Sequence, residues 1–342
     1  AFNSPGYVAD LISAYQEKKG AGLLPLFSYG AVGWDRGTFR SAVMQVDRER
    51  RQDLRLMKEK DVSAGVKKMR QKIPENRLRQ HLEKCALSYG CPAGKNFFLG
   101  RYEAPLPTAE TCNARCLGCI SLQPEQEISC SQERIRFTPS PEEIAEIALT
   151  HINRVKRSIV SFGQGCEGDP LLAAKVIEPA IRLIRAQTDQ GTIHMNTNGS
   201  LPAVLQRLFA VGLDSIRVSI NSMRSVCYNA YFRPKGYTFN DVMESIRIAN
   251  DNGKHVAINY LNLPGFTDLP EEIDGLVSFL NKGHIRMIQW RNMNFDPVRY
   301  WQVMSKAAVS GKPIGMKNLL QMVQRVFPKI KYGYFNPPKE TF

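Results

Sequence analysis

Short apolar runs alternate with longer amphipathic stretches through the middle of the chain. Five runs have the length and composition of buried strands, namely SIVSF, TIHMN, SIRVSI, HVAINYL and RMIQW. Helix-like segments with apolar positions at helical spacing lie between them, for example LLAAKVIEPAIRLIRAQ. With the less regular segment NFFLGRYEAPL in front, the pattern predicts six strands joined by crossover helices. Such alternation is typical of a parallel sheet in an α/β fold and suits a partial barrel.

The first of these helices has a clear start signal. Ser140 suits the N-cap position, Pro141 the first helical position and Glu143 the third, just before the apolar stretch IAEIALTHI. A serine N-cap and a glutamate three residues later can satisfy each other's backbone N–H groups in a capping box. The sequence therefore predicts a helix that begins at Pro141.

The first 95 residues differ from the rest and predict an α+β cap. The segments LFSYGAVG (26–33) and FRSAVMQV (39–46) flank the turn-rich WDRGT, which indicates a β-hairpin. Apolar positions at helical spacing follow over residues 62–87 and are interrupted by Pro74. The predicted regions are the N-terminal α+β cap at 1–95, the partial barrel at 96–295 and a C-terminal basic extension at 296–342.

Bulk composition indicates a globular protein without a spanning helix. The 342 residues are 43% hydrophobic, yet no stretch approaches the roughly 18 consecutive apolar residues that a transmembrane helix needs. The N-terminal segment has no basic region ahead of an apolar one, so it lacks the pattern of a secretory signal. Eight cysteines, three of them spaced as metal ligands, favour a reducing compartment. We therefore expect a cytoplasmic protein.

Positive charge is concentrated towards the two ends of the chain. The formal net charge is +14; residues 36–95 carry a net +9 and residues 284–342 a net +8, whereas residues 96–283 sum to −2. Basic surfaces of this kind can bind a polyanion such as RNA. No RNA-binding motif accompanies the charge, so a solvated basic exterior that favours solubility is the better-supported explanation.

Three cysteines, Cys112, Cys116 and Cys119, lie close together in the string CNARCLGC. Their spacing lets three thiolates from one loop converge on one inorganic core, and soft thiolate ligands select zinc or iron–sulfur clusters. Three ligands leave one coordination position open for a substrate or cofactor, whereas a structural zinc site needs a fourth protein ligand. The spacing therefore favours a reactive iron–sulfur site over a zinc knuckle or three inert thiols.

The cysteine loop and four downstream segments together resemble the radical S-adenosylmethionine (radical SAM) superfamily. The segments are GQGCEGDP (163–170), NTNG (196–199), SIRVSIN (215–221) and YLNLPG (260–265). Each follows or ends a strand-like run, and ligands of parallel sheets bind at the carboxyl ends of strands. The resemblance implies an α/β partial (β/α)6 TIM-like barrel with a 4Fe-4S cluster on the three cysteines. One departure is Gly118, where the superfamily often has an aromatic residue near the adenine.

By the same resemblance, the chain would be an enzyme that reductively cleaves S-adenosyl-L-methionine to a 5′-deoxyadenosyl radical. Its electrons would come from a reductant such as flavodoxin or ferredoxin. The superfamily's Gly-Glu-Pro pattern matches best at 168–170, with Asp169 in place of glutamate, and Glu167 competes for the same role. For either acid, an ordinary strand-to-helix turn is the alternative. The implied cofactor-binding residues are Gly163, Gly165, Glu167, Asp169, Asn198, Ser219 and Asn221.

Four other cysteines, Cys85, Cys91, Cys130 and Cys166, could hold a second cluster, since auxiliary clusters occur in some members of the superfamily. Their spacing matches no auxiliary pattern, so we expect incidental or buried thiols and a single cluster. The five histidines include no pair at ligand spacing, and we expect each of them to be a core residue.

Two other classes of function are compatible with the sequence. A non-catalytic iron–sulfur electron carrier or redox sensor would use the cysteine loop but would need neither the glycine-rich turn nor polar residues at strand ends. An RNA-binding module with a metal site is supported only by the basic ends of the chain. The substrate and a catalytic residue do not follow from the sequence.

Overall fold

The computed structural model describes residues 3, 6–123, 128–283, 285–307 and 311–342. The strands in these ranges are β1 (Tyr7–Ala9), β2 (Val32–Asp35), β3 (Thr38–Ser41), β4 (Val43–Gln45), β5 (Glu103–Pro105), β6 (Ile159–Phe162), β7 (Thr192–Thr197), β8 (Ser215–Ile220), β9 (His255–Asn262), β10 (Met287–Asn292) and β11 (Lys331–Tyr332). The α-helices are α1 (Glu59–Lys72), α2 (Arg77–Leu87), α3 (Pro92–Leu99), α4 (Pro141–Ile152), α5 (Ala174–Arg185), α6 (Pro202–Ala210), α7 (Ser225–Phe232), α8 (Phe239–Asp251), α9 (Pro270–Lys282), α10 (Pro297–Ser305) and α11 (Met316–Val326). None of these helices is long and apolar enough to cross a bilayer.

Seven parallel strands form the central sheet, in the order β5, β6, β7, β8, β9, β10, β11. At least one α-helix lies in each crossover from β5 to β10. Within the described residues no pairing joins β5 to β11, so the sheet is an open, partial barrel. The predicted α/β class, the six strands and the partial barrel are confirmed. The seventh strand, β11, was not predicted.

Side chains alternate in character along the strands of this sheet. On β8, Ile216, Val218 and Ile220 are fully buried, whereas Arg217 and Ser219 point to the other face. The row of Ser219 continues across the sheet through Asn259 and Gln289, which are its register partners on β9 and β10. Strands covered by apolar layers on both faces have near-continuous apolar sequences. The polar face therefore lies on the inside of the partial barrel.

The predicted start of the first crossover helix, α4, is confirmed. The Ser140 hydroxyl accepts a hydrogen bond from the Glu143 N–H at 3.3 Å, and the Glu143 carboxylate accepts one from the Ser140 N–H at 2.8 Å. Glu143 also forms an ion pair with Arg77 at the start of α2. The same capping residue therefore links the barrel to the N-terminal helices.

The N-terminal layer contains the predicted hairpin, formed by β2 and β3. The predicted helical stretch is divided into α1 and α2 on either side of Pro74, as expected. The segment NFFLGRYEAPL differs from the prediction, because its first four residues end helix α3 and only Glu103–Pro105 form a strand. Helix α3 begins with Pro92 at its first position, which fixes a helical φ there.

The C-terminal segment after β11 runs beneath the barrel at the amino ends of the strands. The Lys339 N–H donates to the Thr192 hydroxyl at the start of β7, and the ring of Phe342 stacks on His255 at the start of β9. The carbonyl oxygen of Tyr334 reaches the polar face, where it accepts hydrogen bonds from Arg217 and Gln289. The sequence predicted a basic extension here and gave no indication of these contacts with the barrel.

Candidate functional site

The loop that carries Cys112, Cys116 and Cys119 follows β5 and is attached by its backbone to two neighbouring elements. On one side, the N–H groups of Gly168 and Asp169 donate to the carbonyl oxygens of Ala109 and Thr111, at 2.6 and 3.0 Å. On the other side, two loop N–H groups donate to carbonyl oxygens at the end of α7, in the pairs Arg115 to Phe232 and Leu117 to Tyr231. The loop therefore lies at the carboxyl ends of the strands, as the sequence predicted.

Gly168 is required by the close approach of the two backbones at this junction. A Cβ atom at this position would lie 1.8 Å from the carbonyl oxygen of Thr111, the residue before Cys112. Real Cβ atoms essentially never come that close to another heavy atom. The glycine-rich turn and the cysteine loop can therefore hold this arrangement only without a side chain at 168.

The three loop thiols are partly buried, and burial raises the pKa of two of them. The pKa of Cys112 rises to about 11 through burial and the nearby Asp169 carboxylate, and that of Cys116 rises well above its ordinary value through burial and the other two thiols. The guanidinium of Arg134 lies 3.5 Å from the Cys119 sulfur and can donate to it. Three thiolates gathered here need a compensating positive charge, which a cationic iron–sulfur core supplies.

The three loop cysteines suit a cluster through the kind of donor they offer. Among the described residues, one set of three possible metal-ligating side chains has its ligand atoms within 4.8 Å of one another, and that set is not the loop cysteines. Iron–sulfur clusters are held by cysteine thiolates. The donor set therefore suits a 4Fe-4S cluster.

Gly118, the departure from the superfamily pattern, is explained by a side chain from another element. A Cβ atom at 118 would lie 2.8 Å from the hydroxyl oxygen of Tyr231 and 2.9 Å from the carbonyl oxygen of Asn294. Tyr231 is buried at the end of α7. An aromatic ring is thus present beside the third cysteine, but α7 supplies it, and the sequence pattern around the loop could not reveal it.

Glu167 is buried, and its carboxylate stabilises the backbone of the turn through hydrogen bonds. Its Oε1 accepts hydrogen bonds from the N–H groups of Gly163 and Gln164, and its Oε2 from those of Thr108 and Ala109, at 2.7 to 2.9 Å. Burial raises its pKa to about 7, although these donors act in the opposite direction. This carboxylate joins the turn after β6 to the segment that leads into the cysteine loop.

Asp169 likewise stabilises the junction between the turn after β6 and the turn after β7 through hydrogen bonds. Its two oxygens accept hydrogen bonds from the N–H groups of Leu171 and Asn198 and from the hydroxyl of Thr197. Burial raises its pKa to about 6. The Glu167 carboxylate therefore has four protein donors, and the Asp169 carboxylate has three, with the Thr197 hydroxyl shared between its two oxygens. The sequence suggested that one of these carboxylates could accept bonds from an ammonium group, and the structure brings both next to the cysteine loop with their acceptor sites engaged.

The other predicted cofactor residues differ in how far their polar side chains are buried and hydrogen-bonded within the protein. Asn198 donates to Asn113 of the cysteine loop at 2.8 Å, which ties the turn after β7 to that loop. Ser219 is partly exposed inside the barrel and accepts a weak bond from Asn259 at 3.4 Å. Asn221 is fully buried and donates to Tyr300 and to the carbonyl oxygen of Cys227. Its amide oxygen is buried without a partner.

The glycines of the turn have distinct surroundings. Gly163 has φ +79°, and a Cβ atom there would lie 1.8 Å from the carbonyl oxygen of Asn196. A Cβ atom at Gly165 would instead meet the side chains of Gln132 and Ile120, at 2.6 and 2.7 Å. Only the first of these positions therefore needs glycine for its backbone conformation.

The polar interior of the barrel lies beneath this loop. Buried oxygen atoms of Asn259 and Gln289 and the Nε of Arg217 have no hydrogen-bond partner. Arg291, at the end of β10, borders a cavity of about 110 Å³ together with Tyr7 of β1. Unpaired buried polar atoms are costly unless a ligand or water satisfies them. The polar interior therefore contains both a donor and acceptors without a partner.

The five remaining cysteines lie in different surroundings. Cys85 and Cys166 lie beside each other, with the His81 imidazole between them, whereas Cys130 is exposed on the surface. Reasoning from the sequence missed His81 because it considered only histidine pairs. The available signal was the four-residue separation of His81 and Cys85, which puts both on one face of a helix. The prediction that every histidine is a core residue is wrong for His81, which is only partly buried.

Comparison with known proteins supports the motif analysis. Residues 106–280, slightly more than half of the chain, match the family model described as Radical SAM superfamily. The chain is 27% identical over 180 residues to the FeMo cofactor biosynthesis protein NifB of Klebsiella pneumoniae, covering 48% of this chain and 37% of the relative. It is 26% identical over 263 residues to molybdenum cofactor biosynthesis protein 1 of Homo sapiens, covering 75% and 37%.

The chain therefore spans little more than a third of the length of either relative. Among solved structures, native anSMEcpe with bound AdoMet superposes with a TM-score of 0.48 and 14% sequence identity, over 68% of this chain and 63% of that one.

Proposed function

Because the chain belongs to the radical SAM superfamily and is a radical SAM enzyme, we propose that Cys112, Cys116 and Cys119 hold a 4Fe-4S cluster and that the adjoining turns bind S-adenosyl-L-methionine. The observation that carries the proposal is the double attachment of the cysteine loop to the turn after β6 and to the end of α7. A loop fixed on both sides presents its three thiols in one orientation to the carboxyl ends of the strands. When bound, the cluster and its cofactor supply a one-electron cleavage that yields a 5′-deoxyadenosyl radical.

In this proposal, Glu167 and Asp169 position the site. Glu167 accepts hydrogen bonds from four backbone N–H groups, and Asp169 from two backbone N–H groups and the Thr197 hydroxyl, so they shape the backbone of the turn. Gly163, Gly165, Asn198 and Ser219 then offer backbone or side-chain contacts to the cofactor. Asn221 supports the end of β8 from below through its bond to Tyr300.

We further propose that the substrate is a small, polar molecule that enters the barrel. The row of Ser219, Asn259 and Gln289 presents hydroxyl and amide groups, and Arg217 and Arg291 add two guanidinium groups. Positive charge in an enclosed site favours an anionic group such as a phosphate or carboxylate. The names of the curated relatives describe biosynthesis of the FeMo and molybdenum cofactors.

The central test is anaerobic reconstitution with iron and sulfide, followed by incubation with S-adenosyl-L-methionine and a chemical reductant. Products are separated by chromatography. We expect 5′-deoxyadenosine and methionine to form slowly without substrate. Absence of cofactor binding in calorimetry, with the cluster intact, would favour the electron-carrier alternative instead.

The substrate class has a separate test. Arg217→Gln and Arg291→Gln should leave the slow, substrate-free cleavage within about twofold, because neither residue is attached to the cysteine loop. Both variants should weaken the stimulation of that cleavage by the anionic compounds that stimulate the wild type. If anionic compounds do not stimulate the wild type, the proposed substrate class is wrong, whereas the proposed cluster and cofactor stand. Flavodoxin or ferredoxin is the proposed physiological reductant.

A further inference from the structure

A second group of metal-ligating side chains lies next to the cofactor turn and is not used by the proposed reaction. His81 and Cys85 project from consecutive turns of α2, and Cys166 belongs to the turn that follows β6. The Nε2 atom of His81 lies 3.4 Å from the Cys166 sulfur and 3.5 Å from the Cys85 sulfur. All three ligand atoms are within 4.8 Å of one another.

These separations match the geometry of one tetrahedral metal ion. With bond lengths of about 2.3 Å to sulfur and about 2.05 Å to nitrogen, a tetrahedral zinc site has nitrogen and sulfur ligands about 3.6 Å apart. The two measured nitrogen–sulfur distances are 3.4 and 3.5 Å. The ligands therefore surround a volume that fits one ion and is too narrow for a four-iron core.

The surroundings also suit a bound metal ion that keeps one position for a non-protein ligand. Both cysteines are buried, with 2% and 5% of their surfaces exposed, so the thiols are shielded from bulk solvent. Soft thiolates combined with an imidazole select zinc among the common divalent ions. Cys91 is the next thiol along the chain; its N–H donates to the carbonyl oxygen of Cys85, but its sulfur lies outside the compact group.

We propose that His81, Cys85 and Cys166 bind a single zinc ion, which fastens the N-terminal helix α2 to the turn that positions the cofactor. The described residues provide three protein ligands, so a non-protein ligand such as water would take the fourth position, as in zinc sites that keep one position open. Glu167, the residue after Cys166, holds the segment before the cysteine loop. The ion thereby fixes one end of the turn whose other end, at Gly168, contacts that same segment. This inference does not depend on the identity of the substrate.

The experiment uses the full chain with Cys112, Cys116 and Cys119 changed to serine, so that the proposed cluster contributes no metal. The protein is produced with added zinc, desalted under nitrogen and analysed for zinc, iron and acid-labile sulfide. We expect about one zinc ion per chain and neither iron nor sulfide. X-ray absorption at the zinc edge should show two sulfur ligands and at least one nitrogen ligand.

Single changes on this background identify the ligands. Cys85→Ser, Cys166→Ser and His81→Ala should each reduce the zinc content at least tenfold, whereas the matched controls Cys130→Ser and Cys91→Ser should retain it. Retention of zinc in the ligand variants would overturn the proposal, as would loss of zinc in Cys91→Ser. Iron together with sulfide bound by the same residues would also overturn it, because that result indicates a second cluster.

A cobalt titration keeps the proposal testable if a ligand variant does not fold. Cobalt(II) added to the zinc-depleted serine background should give the intense visible bands and the sulfur-to-metal charge-transfer band of a tetrahedral thiolate site, and zinc should displace it. A saturated titration at one equivalent supports the site. An unchanged spectrum, or a Cys85–Cys166 disulfide found by mass spectrometry of the reduced, anaerobic protein, would contradict it.

Discussion

The molecule contains two groups of thiols. The two groups differ in how the distance between ligands along the chain relates to the distance between their atoms. Cys112, Cys116 and Cys119 are neighbours in the chain, yet they are not the set of three described ligands whose atoms lie within 4.8 Å of one another. The second site has its ligands far apart in the chain, with His81 and Cys166 separated by 85 residues, yet their atoms form a compact group. The first site can therefore be recognised from a short sequence motif. The second site can be recognised only after the separate elements that carry its ligands have packed together.

The two sites also share one structural support. The turn after β6 contributes Cys166 to the second site, and two residues later it meets the cysteine loop at Gly168. A change in this turn should therefore affect both sites, while a change in either set of ligands should affect one. The predictions below separate these cases, beginning with the largest effect.

Removal of the loop thiols should have the largest effect on activity. In the triple serine variant of Cys112, Cys116 and Cys119, we expect reductive cleavage of S-adenosyl-L-methionine to fall below detection. The visible absorbance and the reduced-state paramagnetic signal of the cluster should disappear as well, because no other residues replace three thiolates. Electron paramagnetic resonance and product chromatography measure these losses. A variant that retains the wild-type signal would show that the cluster is bound elsewhere.

Gly168→Ala should disturb both sites at once. The new Cβ atom meets the Thr111 carbonyl oxygen, which belongs to the backbone and cannot rotate away. We expect a loss of about 3 kcal/mol in the free energy of unfolding, which is typical of severe overpacking. Denaturant titration measures the loss, and iron and zinc contents should fall together.

Gly33→Ala is the matched control, because nothing lies within 4 Å of a Cβ atom at that position. Its free energy of unfolding should change by less than about 0.5 kcal/mol. If Gly168→Ala behaves like this control, the close approach of the turn to the cysteine loop is not present in solution.

Acid should destabilise the fold independently of both sites, through buried histidines. Burial lowers the pKa of His151 from its ordinary 6.5 to about 4, so the folded state keeps this ring neutral while the unfolded state binds a proton. Stability should therefore fall as the pH drops from 6.5 towards 4, by about 2 to 3 kcal/mol from this residue. The free energy of unfolding of His151→Gln should decline less steeply with falling pH, because glutamine does not titrate. Its amide can still donate to the Tyr102 carbonyl oxygen, so the hydrogen bond is kept.

The same measurement separates acid unfolding from acid release of metal. Zinc bound to thiolates is also lost at low pH, because protons compete with the metal ion for the thiolate ligands. If His151→Gln shows the same decline as the wild type between pH 6.5 and 4, metal release or the other buried histidines account for the acid sensitivity.

Arg134→Met should have the smallest effect and should be confined to the cysteine loop. It removes a guanidinium that lies 3.5 Å from the Cys119 sulfur. Hydrogen bonds and positive charge near a cluster ligand favour the reduced form. We expect a more negative reduction potential and cofactor cleavage slower by about three- to tenfold, checked by potentiometry with paramagnetic detection. The exposed Arg136→Met serves as control and should leave the potential unchanged.

The barrel could be predicted from the sequence because the signals for its strands and helices are local in the chain. Strands β6 to β10 are apolar or alternating runs with a helix on either side, and the capping residues Ser140 and Glu143 behave as their spacing predicts. The three loop cysteines were visible for the same reason. Helix α7 and strand β11 were not predicted, because a short helix and a two-residue strand leave little periodicity to detect.

The contacts that complete the candidate site depend on tertiary packing. Tyr231 reaches Gly118 from α7, and Arg134 reaches Cys119 from a segment without regular structure. Neither residue belongs to a motif, and neither spacing predicts the contact. The assignment of individual residues to cofactor binding stays a prediction, as do the RNA partner and the cytoplasmic location.

The contact between α2 and the turn after β6 also has a consequence for the order of folding. Helix α2 can form early from local interactions, but its partner Cys166 arrives only when β5, α4 and β6 have assembled. Closing a loop of 85 residues is slow compared with forming a helix. The triad of His81, Cys85 and Cys166 is therefore completed late, and the moment at which it captures an ion marks the docking of the N-terminal layer onto the barrel.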